Sequence, residues 1–75
     1  MPKATFFNLP GKKRDLITNQ AVQEFARHPY EGASLSAIVS RAGIAKGSMY
    51  QYFTGKKDLY QYIIQEVYEK KREFL

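Results

Sequence analysis

The chain contains no cysteine, and this absence excludes several kinds of chemistry. Without thiols there is no disulfide framework, no thiolate zinc site and no cysteine nucleophile, which suits a reducing compartment. Histidine is nearly as rare: His28 is the only one, it stands beside Pro29, and no carboxylate or second ligand lies at metal-binding spacing. We therefore expect no bound metal and no cofactor, and we expect His28 to be a solvated loop residue.

Long apolar runs and catalytic patterns are also missing. No stretch approaches the roughly 18 apolar residues that cross a bilayer, and residues 1–7 are too few for a secretory signal. We therefore expect a cytoplasmic protein without a membrane partner. There is no glycine-rich phosphate loop, no nucleophile with a paired base and no carboxylate pair placed for a pocket. The chain is not expected to be an enzyme.

What remains is enough for one small basic domain. The chain has 75 residues, of which 44% are hydrophobic and 15% aromatic, so a core can form although it must be small. Twelve Lys and Arg against seven Asp and Glu give a formal net charge of +5. That surplus favours a polyanionic partner, and on charge alone nucleic acid and an acidic membrane surface both stay open.

The first predicted helix covers residues 10–27. Apolar residues recur every four positions and have two neighbours on the same face: Ile17, Ala21 and Phe25, with Leu16 and Ala26. Pro10 suits the first turn, with Asn8 or Leu9 as the cap. Pro29 disfavours helical geometry at the preceding residue, so the helix should end near Arg27.

A tight helix-turn-helix follows. Ser34 is a good N-cap for a second helix over residues 35–42, and Gly43 can adopt the left-handed conformation that closes it. Only three residues then precede a third helix, predicted over residues 46–53. On this short helix Met49 and Phe53 are available to the core, whereas Tyr50 and Tyr52 should point elsewhere.

A fourth helix is predicted over residues 56–74. Leu59, Ile63 and Val67 repeat at helical spacing, with three further apolar residues to one side: Tyr60, Ile64 and Phe74. We expect Tyr60, Tyr62 and Tyr68 at the edge of the core, with their hydroxyls in water. The basic run 70–72 alternates with glutamates and is expected on a solvated face.

The spacing of these residues resembles the DNA-binding segment of the TetR (tetracycline repressor) family. The positions that match its pattern are Ser34, Ile38-Val39, Ala42-Gly43-Ile44, Lys46-Gly47-Ser48-Met49-Tyr50, Tyr52-Phe53 and Lys56-Lys57-Asp58-Leu59. The similarity extends over nearly the whole chain from about Lys12. Two departures stand out: Ala45 replaces the usual capping Ser or Thr, and His28-Pro29 replaces a common Lys-Gly.

The resemblance implies an all-α, homeodomain-like three-helix helix-turn-helix domain followed by the start of a fourth helix. It implies sequence-specific binding to double-stranded DNA by a transcriptional regulator, a repressor, with the third helix in the major groove. The residues implied to read base edges are Ser36, Lys46, Gly47 and Ser48. Those implied to contact the DNA backbone are Ser34, Tyr50, Tyr52 and Lys56.

The resemblance further implies a homodimeric parent protein that binds a palindromic operator. The ligand-binding and dimerisation domain is expected to be absent from this chain, which should then be a monomer or a weak dimer on one half-site. The alternative is a basic amphipathic helical module that binds an acidic membrane or a protein partner through the fourth helix. That alternative explains the charge but gives no reason for the turn at Gly43. It also gives none for the small polar tip, Lys46-Gly47-Ser48, at the start of the third predicted helix.

Three cations lie in the first turn of the first predicted helix, where positive charge is unfavourable. Lys12, Lys13 and Arg14 oppose the helix macrodipole, and Gly11 weakens the start further. A nearby anion would relieve this conflict. The sequence therefore leaves two hypotheses: this turn approaches DNA phosphate, or it is a frayed, solvated start.

Overall fold

The computed structural model describes residues 2–73, with side chains described as far as residue 67. All regular structure in this range is helical, in the order α1 Ala4–Phe7, α2 Gly11–Arg27, a 3-10 turn at Tyr30–Gly32, α3 Leu35–Ala42, α4 Lys46–Tyr52 and α5 Lys56–Glu73. The predicted first to fourth helices correspond to α2–α5, which confirms the all-α expectation. The predicted end of the last helix at 74, and the side chains of 68 and 70–72, lie outside the described residues.

The predicted N-cap of α2 is wrong and its predicted carboxyl end is correct. Pro10 is the N-cap of α2, with φ −54° and ψ 145°, so neither Asn8 nor Leu9 caps it as predicted. An extended ψ at Pro10 turns its carbonyl towards the amides of Lys13 and Arg14, which donate to it at 3.0 and 3.1 Å. At the other end His28 is extended, as the following proline requires, and α2 stops at Arg27 as predicted.

The short helix α1 was not predicted, yet it contributes a central core residue. Phe6 is fully buried, and its ring lies 4.9 Å from that of Phe53 and 5.3 Å from that of Tyr62, between centroids. Four residues are too few to show helical periodicity in a sequence. The amino-terminal segment is thus part of the fold.

The core is built from one face of each helix. The buried hydrophobic side chains form one cluster: Phe6, Ile17, Ala21, Leu35, Ile38, Val39, Ala42, Met49, Tyr52, Phe53, Leu59 and Ile63. Tyr60 and Tyr62 are partly buried, as predicted for the edge of the core, and Phe25, predicted on the core face of its helix, is also only partly buried. Leu16 and Val67 are about 40% exposed. The prediction that they share the buried faces is wrong, because Leu16 is rotated about 100° from Ile17 and Val67 lies one turn beyond Ile63, where the described side chains of α5 are no longer buried.

Candidate nucleic-acid interface

The turn between α3 and α4 has the geometry that the sequence predicts. Gly43 has φ +71°, in the left-handed region that favours glycine. The amide of Ile44 then donates to Val39 O at 3.1 Å and that of Gly43 to Ser40 O at 3.2 Å, so two of the last four carbonyls of α3 are satisfied locally. Residues 43–45 are all that separates the two helices.

Ser34 holds the start of α3 in two ways. Its hydroxyl oxygen accepts the amide of Ala37 at 3.1 Å, which confirms the predicted N-cap. Its own backbone N–H donates to Glu24 Oε2 at 2.8 Å. The first turn of α3 is therefore tied to α2 as well as capped.

Glu24 is a buried charge that the sequence analysis missed. It is only 2% exposed, and besides Ser34 its carboxylate accepts Arg41 Nη1 at 3.0 Å and lies 3.8 Å from His28 Nε2. The backbone N–H of Ser34, together with His28 and Arg41, lowers the pKa of Glu24 below its ordinary value of 4.5, against the opposing effect of burial.

A signal for this site was present in the sequence. Residues 17, 21 and 24 share one helical face, so Glu24 continues the apolar stripe of α2. His28, predicted to have no carboxylate near it, follows Glu24 by one helical turn and is 47% exposed. Its predicted solvent exposure is correct, whereas the prediction that no carboxylate lies at metal-binding spacing overlooked Glu24.

The outer face of the helix-turn-helix carries most of the predicted DNA-contacting residues. Ser36 on α3 and Lys46 and Gly47 on α4 are exposed, and Ser48 is half-buried. The side chain of Tyr50 is 45% exposed on the same short helix, while Met49 points inward at 1%. All four predicted base-reading residues are therefore at least partly accessible to solvent.

Tyr52 does not belong to that surface. It was predicted to point away from the core with Tyr50, but it is only 8% exposed and lies in the core, 6.3 Å from the ring of Phe6. The error arises because the unpredicted α1 covers this side of α4. Tyr52 is therefore a packing residue, and we do not retain it as a DNA contact.

Lys56 has a structural role that the sequence did not indicate. Its ammonium donates to Tyr30 O at 2.7 Å and to Ala33 O at 3.2 Å, and it lies 4.5 Å from the centroid of the Tyr30 ring. An ammonium has three donors. The third makes no hydrogen bond within the described part of the chain, so the predicted phosphate contact must share this group with the loop before α3.

The three cations of α2 divide into two kinds. Arg14 Nη1 donates to Phe7 O at 2.8 Å and to Leu9 O at 2.9 Å, so it ties the segment after α1 to α2. The partners of Arg14 are therefore backbone carbonyls and not the anion that the sequence suggested. Lys12 and Lys13 are exposed, and for them the phosphate hypothesis stays a prediction.

The described residues form no group of three or more metal-ligating side chains of the His, Cys, Asp or Glu type. None of the described helices combines the length and apolar character that crossing a bilayer requires. On α5, Leu59 and Ile63 are already buried in the core, so that face is occupied within the domain. The exposed residues next to the turn at 43–45 are therefore the candidate binding surface.

Comparison with known proteins agrees with this geometry. The family model for bacterial regulatory proteins of the tetR family matches residues 17–63, which is more than half of the chain. The chain belongs to the TetR family. The resemblance read from the sequence is thereby confirmed, and this TetR-family chain carries the helix-turn-helix DNA-binding domain of a transcription regulator, not a domain of an enzyme family.

Two relatives show how far the similarity of the TetR-family chain extends. The uncharacterized HTH-type transcriptional regulator YezE of Bacillus subtilis (strain 168) is 34% identical over 56 residues, covering 75% of this chain and 29% of YezE. The crystal structure of a TetR family transcriptional regulator from Chloroflexus aurantiacus J-10-FL matches with a TM-score of 0.93 and 51% identity, covering 99% of this chain and 34% of that one. The chain spans about a third of the length of these relatives.

Proposed function

We propose that this domain binds one half-site of a palindromic operator with α4 in the major groove, as part of a homodimeric repressor. In this proposal Ser36, Lys46, Gly47 and Ser48 contact base edges. Ser34, Tyr50 and Lys56 contact the sugar-phosphate backbone. A palindrome has two half-sites related by a twofold axis, and one copy of this chain presents one helix-turn-helix. From the resemblance to the family we also propose that the chain by itself is monomeric or weakly dimeric.

Gly47 is the observation that carries the proposal. Glycine in a helix costs about 1 kcal/mol relative to alanine. A Cβ at this position would meet no heavy atom within 4 Å among the described residues. Packing within the chain therefore gives no reason for a glycine at this exposed position. The cost of the glycine falls on a helix that also has no side-chain N-cap. Close approach to a base edge would give one, because a methyl group would then collide with DNA.

The charge distribution supports the same interface. Lys46 is exposed at the first position of α4, where its flexible side chain can reach a guanine edge or a phosphate. The chain carries a formal net charge of +5, which favours association with a polyanion. Lys56 retains one donor for a phosphate next to Ser34.

The decisive experiment selects binding sites from random-sequence duplexes with the 75-residue chain and then compares Gly47→Ala with the native chain. We expect an enriched half-site. We also expect Gly47→Ala to unfold at higher temperature while binding the selected duplex at least about tenfold more weakly, a loss of about 1.4 kcal/mol. A substitution that raises the unfolding temperature and weakens DNA binding indicates a glycine required by the contact with DNA.

Gly11→Ala is the matched control, because Gly11 is also an exposed helical glycine whose added Cβ would make only an ordinary contact, 3.9 Å from Arg14. It should raise the unfolding temperature in the same way, and it therefore isolates the effect of a helical glycine-to-alanine change on stability. Equal DNA binding by Gly47→Ala and the native chain would contradict the proposed interface. Binding to anionic phospholipid vesicles without any duplex preference would instead support the membrane-binding alternative.

A further inference from the structure

The carboxyl end of α4 is closed by a distant segment of the chain. A helix leaves its last four carbonyls without helical partners. In α4, Met49 O accepts the amide of Phe53 at 2.9 Å, as a local turn would provide. The other three are satisfied by residues before α2: Tyr52 O accepts the Lys3 amide at 2.8 Å, Tyr50 O accepts Lys3 Nζ at 2.9 Å and Gln51 O accepts Thr5 Oγ1.

The same segment covers the end of α4 with an aromatic ring. Phe6 is fully buried between Tyr52 and Phe53, so the three hydrogen bonds are backed by core packing. The ammonium of Lys3 also lies at the carboxyl end of α4, where the helix dipole favours a cation. Lys3, Thr5 and Phe6 thus act together on one helix terminus.

Helix α4 has few other means of holding its shape. It has seven residues, which is far below the length at which an isolated helix is stable in water. Ala45 offers no side-chain cap at its start, and Gly47 weakens its first turn. By contrast, α3 is capped by Ser34 and closed by Gly43 within its own sequence.

We propose that Lys3 and Thr5 are positioning residues for DNA recognition, acting as a carboxyl-terminal cap that holds α4 in its DNA-binding conformation. The proposal rests on the proposed function of α4. Both residues precede the segment 17–63 that the family model matches. The effect on DNA is indirect: fraying of the last turn moves Tyr50 and, through so short a helix, the tip at 46–48.

Two pairs of variants test the cap in the 75-residue chain. Thr5→Val removes the hydroxyl but keeps the shape, and Thr5→Ser restores it. Lys3→Met removes the ammonium, and Lys3→Arg keeps a cationic donor. Hydrogen exchange of the amides of Gln51, Tyr52 and Phe53 reports the opening of the last turn without any DNA. We expect Thr5→Val and Lys3→Met to exchange about three- to tenfold faster there, the factor that one exposed hydrogen bond contributes.

Binding to the duplex recovered by selection, and to a scrambled duplex of equal length, gives the second readout. We expect Thr5→Val and Lys3→Met to bind the selected duplex about three- to tenfold more weakly. Their affinity for the scrambled duplex and their salt dependence should stay unchanged. Thr5→Ser and Lys3→Arg should recover most of the loss. Measurements well below the melting temperature of every variant separate this effect from global unfolding.

Other results would overturn the proposal. If Lys3→Met weakens both duplexes alike and lowers the slope of log affinity against log salt by about 0.9, Lys3 contacts a phosphate itself. If exchange at the end of α4 is the same in all variants, these residues do not cap the helix. If the native chain selects no duplex, the proposed function fails, and hydrogen exchange still decides whether the cap exists.

Discussion

The carboxylate of Glu24 accepts the backbone N–H of Ser34 at 2.8 Å, and through this contact α2 determines where α3 begins. The second oxygen of the same carboxylate accepts Arg41 from the last turn of α3 at 3.0 Å. One buried side chain therefore contacts both ends of α3. Since only three residues link α3 to α4, this carboxylate also constrains the orientation of the proposed DNA-contacting surface.

Replacing Glu24 by glutamine should destabilise the domain. Glutamine can still accept the Ser34 amide but loses the charge that pairs with Arg41, whose side chain is 41% exposed and can be hydrated again. We expect the free energy of unfolding to fall by about 1–3 kcal/mol, measured by urea denaturation at neutral pH. Glu31→Gln, at an exposed position in the adjacent 3-10 turn, is the matched control and should change it little. Equal losses in both variants would contradict the role of Glu24.

The lowered pKa of Glu24 predicts a pH dependence with a definite sign. A carboxyl whose pKa is lower in the folded chain stabilises the fold fully above its ordinary pKa, and this contribution disappears as the pH falls through the lowered value. Below about pH 4.5, the native chain should therefore lose stability more steeply than Glu24→Gln. Urea midpoints for the two proteins from pH 7 downwards measure the difference. Parallel curves would show that Glu24 does not titrate as the contacts imply.

Gly43 should tolerate substitution poorly because its φ of +71° strains any residue with a Cβ. We expect Gly43→Ala to cost about 1–2 kcal/mol in thermal or urea unfolding. Gly43→Asn should cost less, because asparagine enters the left-handed region more readily. If alanine and asparagine cost the same, an effect other than backbone conformation must dominate.

Lys56 and Lys57 form a matched pair of variants that distinguishes the hydrogen bonds of a lysine from its positive charge. Lys56→Met removes two hydrogen bonds to loop carbonyls and the contact with the Tyr30 ring, and should cost about 1–2 kcal/mol of stability. Lys57→Met removes the same charge from an exposed neighbour and should leave unfolding unchanged. If the third donor of Lys56 contacts phosphate, only Lys56→Met should also weaken binding to every duplex. Equal unfolding midpoints would show that the loop does not depend on Lys56.

The residues proposed to read bases should affect preference as well as affinity. Lys46→Ala and Ser48→Ala should each cost about 1–3 kcal/mol on the selected duplex and relax the preference at particular base pairs. Repeating the selection with each variant identifies those pairs. Tyr50→Phe keeps the exposed ring and should cost less, because only a backbone contact is lost. A uniform loss over all sequences would show that Lys46 and Ser48 contact phosphate only.

Helix boundaries were the most predictable feature, and the reason is local. Ser34, Gly43 and Pro29 act on backbone groups within a few residues, so their effect can be read without knowing the rest of the fold. The outward position of Gly47 follows in the same way from the inward position of Met49, because residues two apart lie on nearly opposite sides of a helix. The predicted helices that correspond to α2–α5 came from such short-range rules, whereas the candidate DNA-contacting residues came from the resemblance to the TetR family.

Two of the errors have a different origin. Tyr52 was placed outside the core because nothing in the sequence marks residues 4–7 as a helix that packs on it. For Arg14 the sequence left a phosphate contact as one of two hypotheses, because nothing in it marks the carbonyls of Phe7 and Leu9, at the end of this helix and just after it, as partners. In both cases the contact depends on a segment that the sequence does not mark as part of the fold.

The sequence by itself determined the family, the order of the predicted helices and the small polar tip at Lys46-Gly47-Ser48, because these depend on spacing and on local backbone preference. Only the tertiary structure decided which polar side chains hold the domain together. Glu24 meets Ser34 and Arg41 across 10 and 17 residues, Lys56 meets Tyr30 across 26, and Lys3 meets Tyr50 across 47. No local rule pairs groups so far apart, because folding of the core brings them within hydrogen-bonding distance.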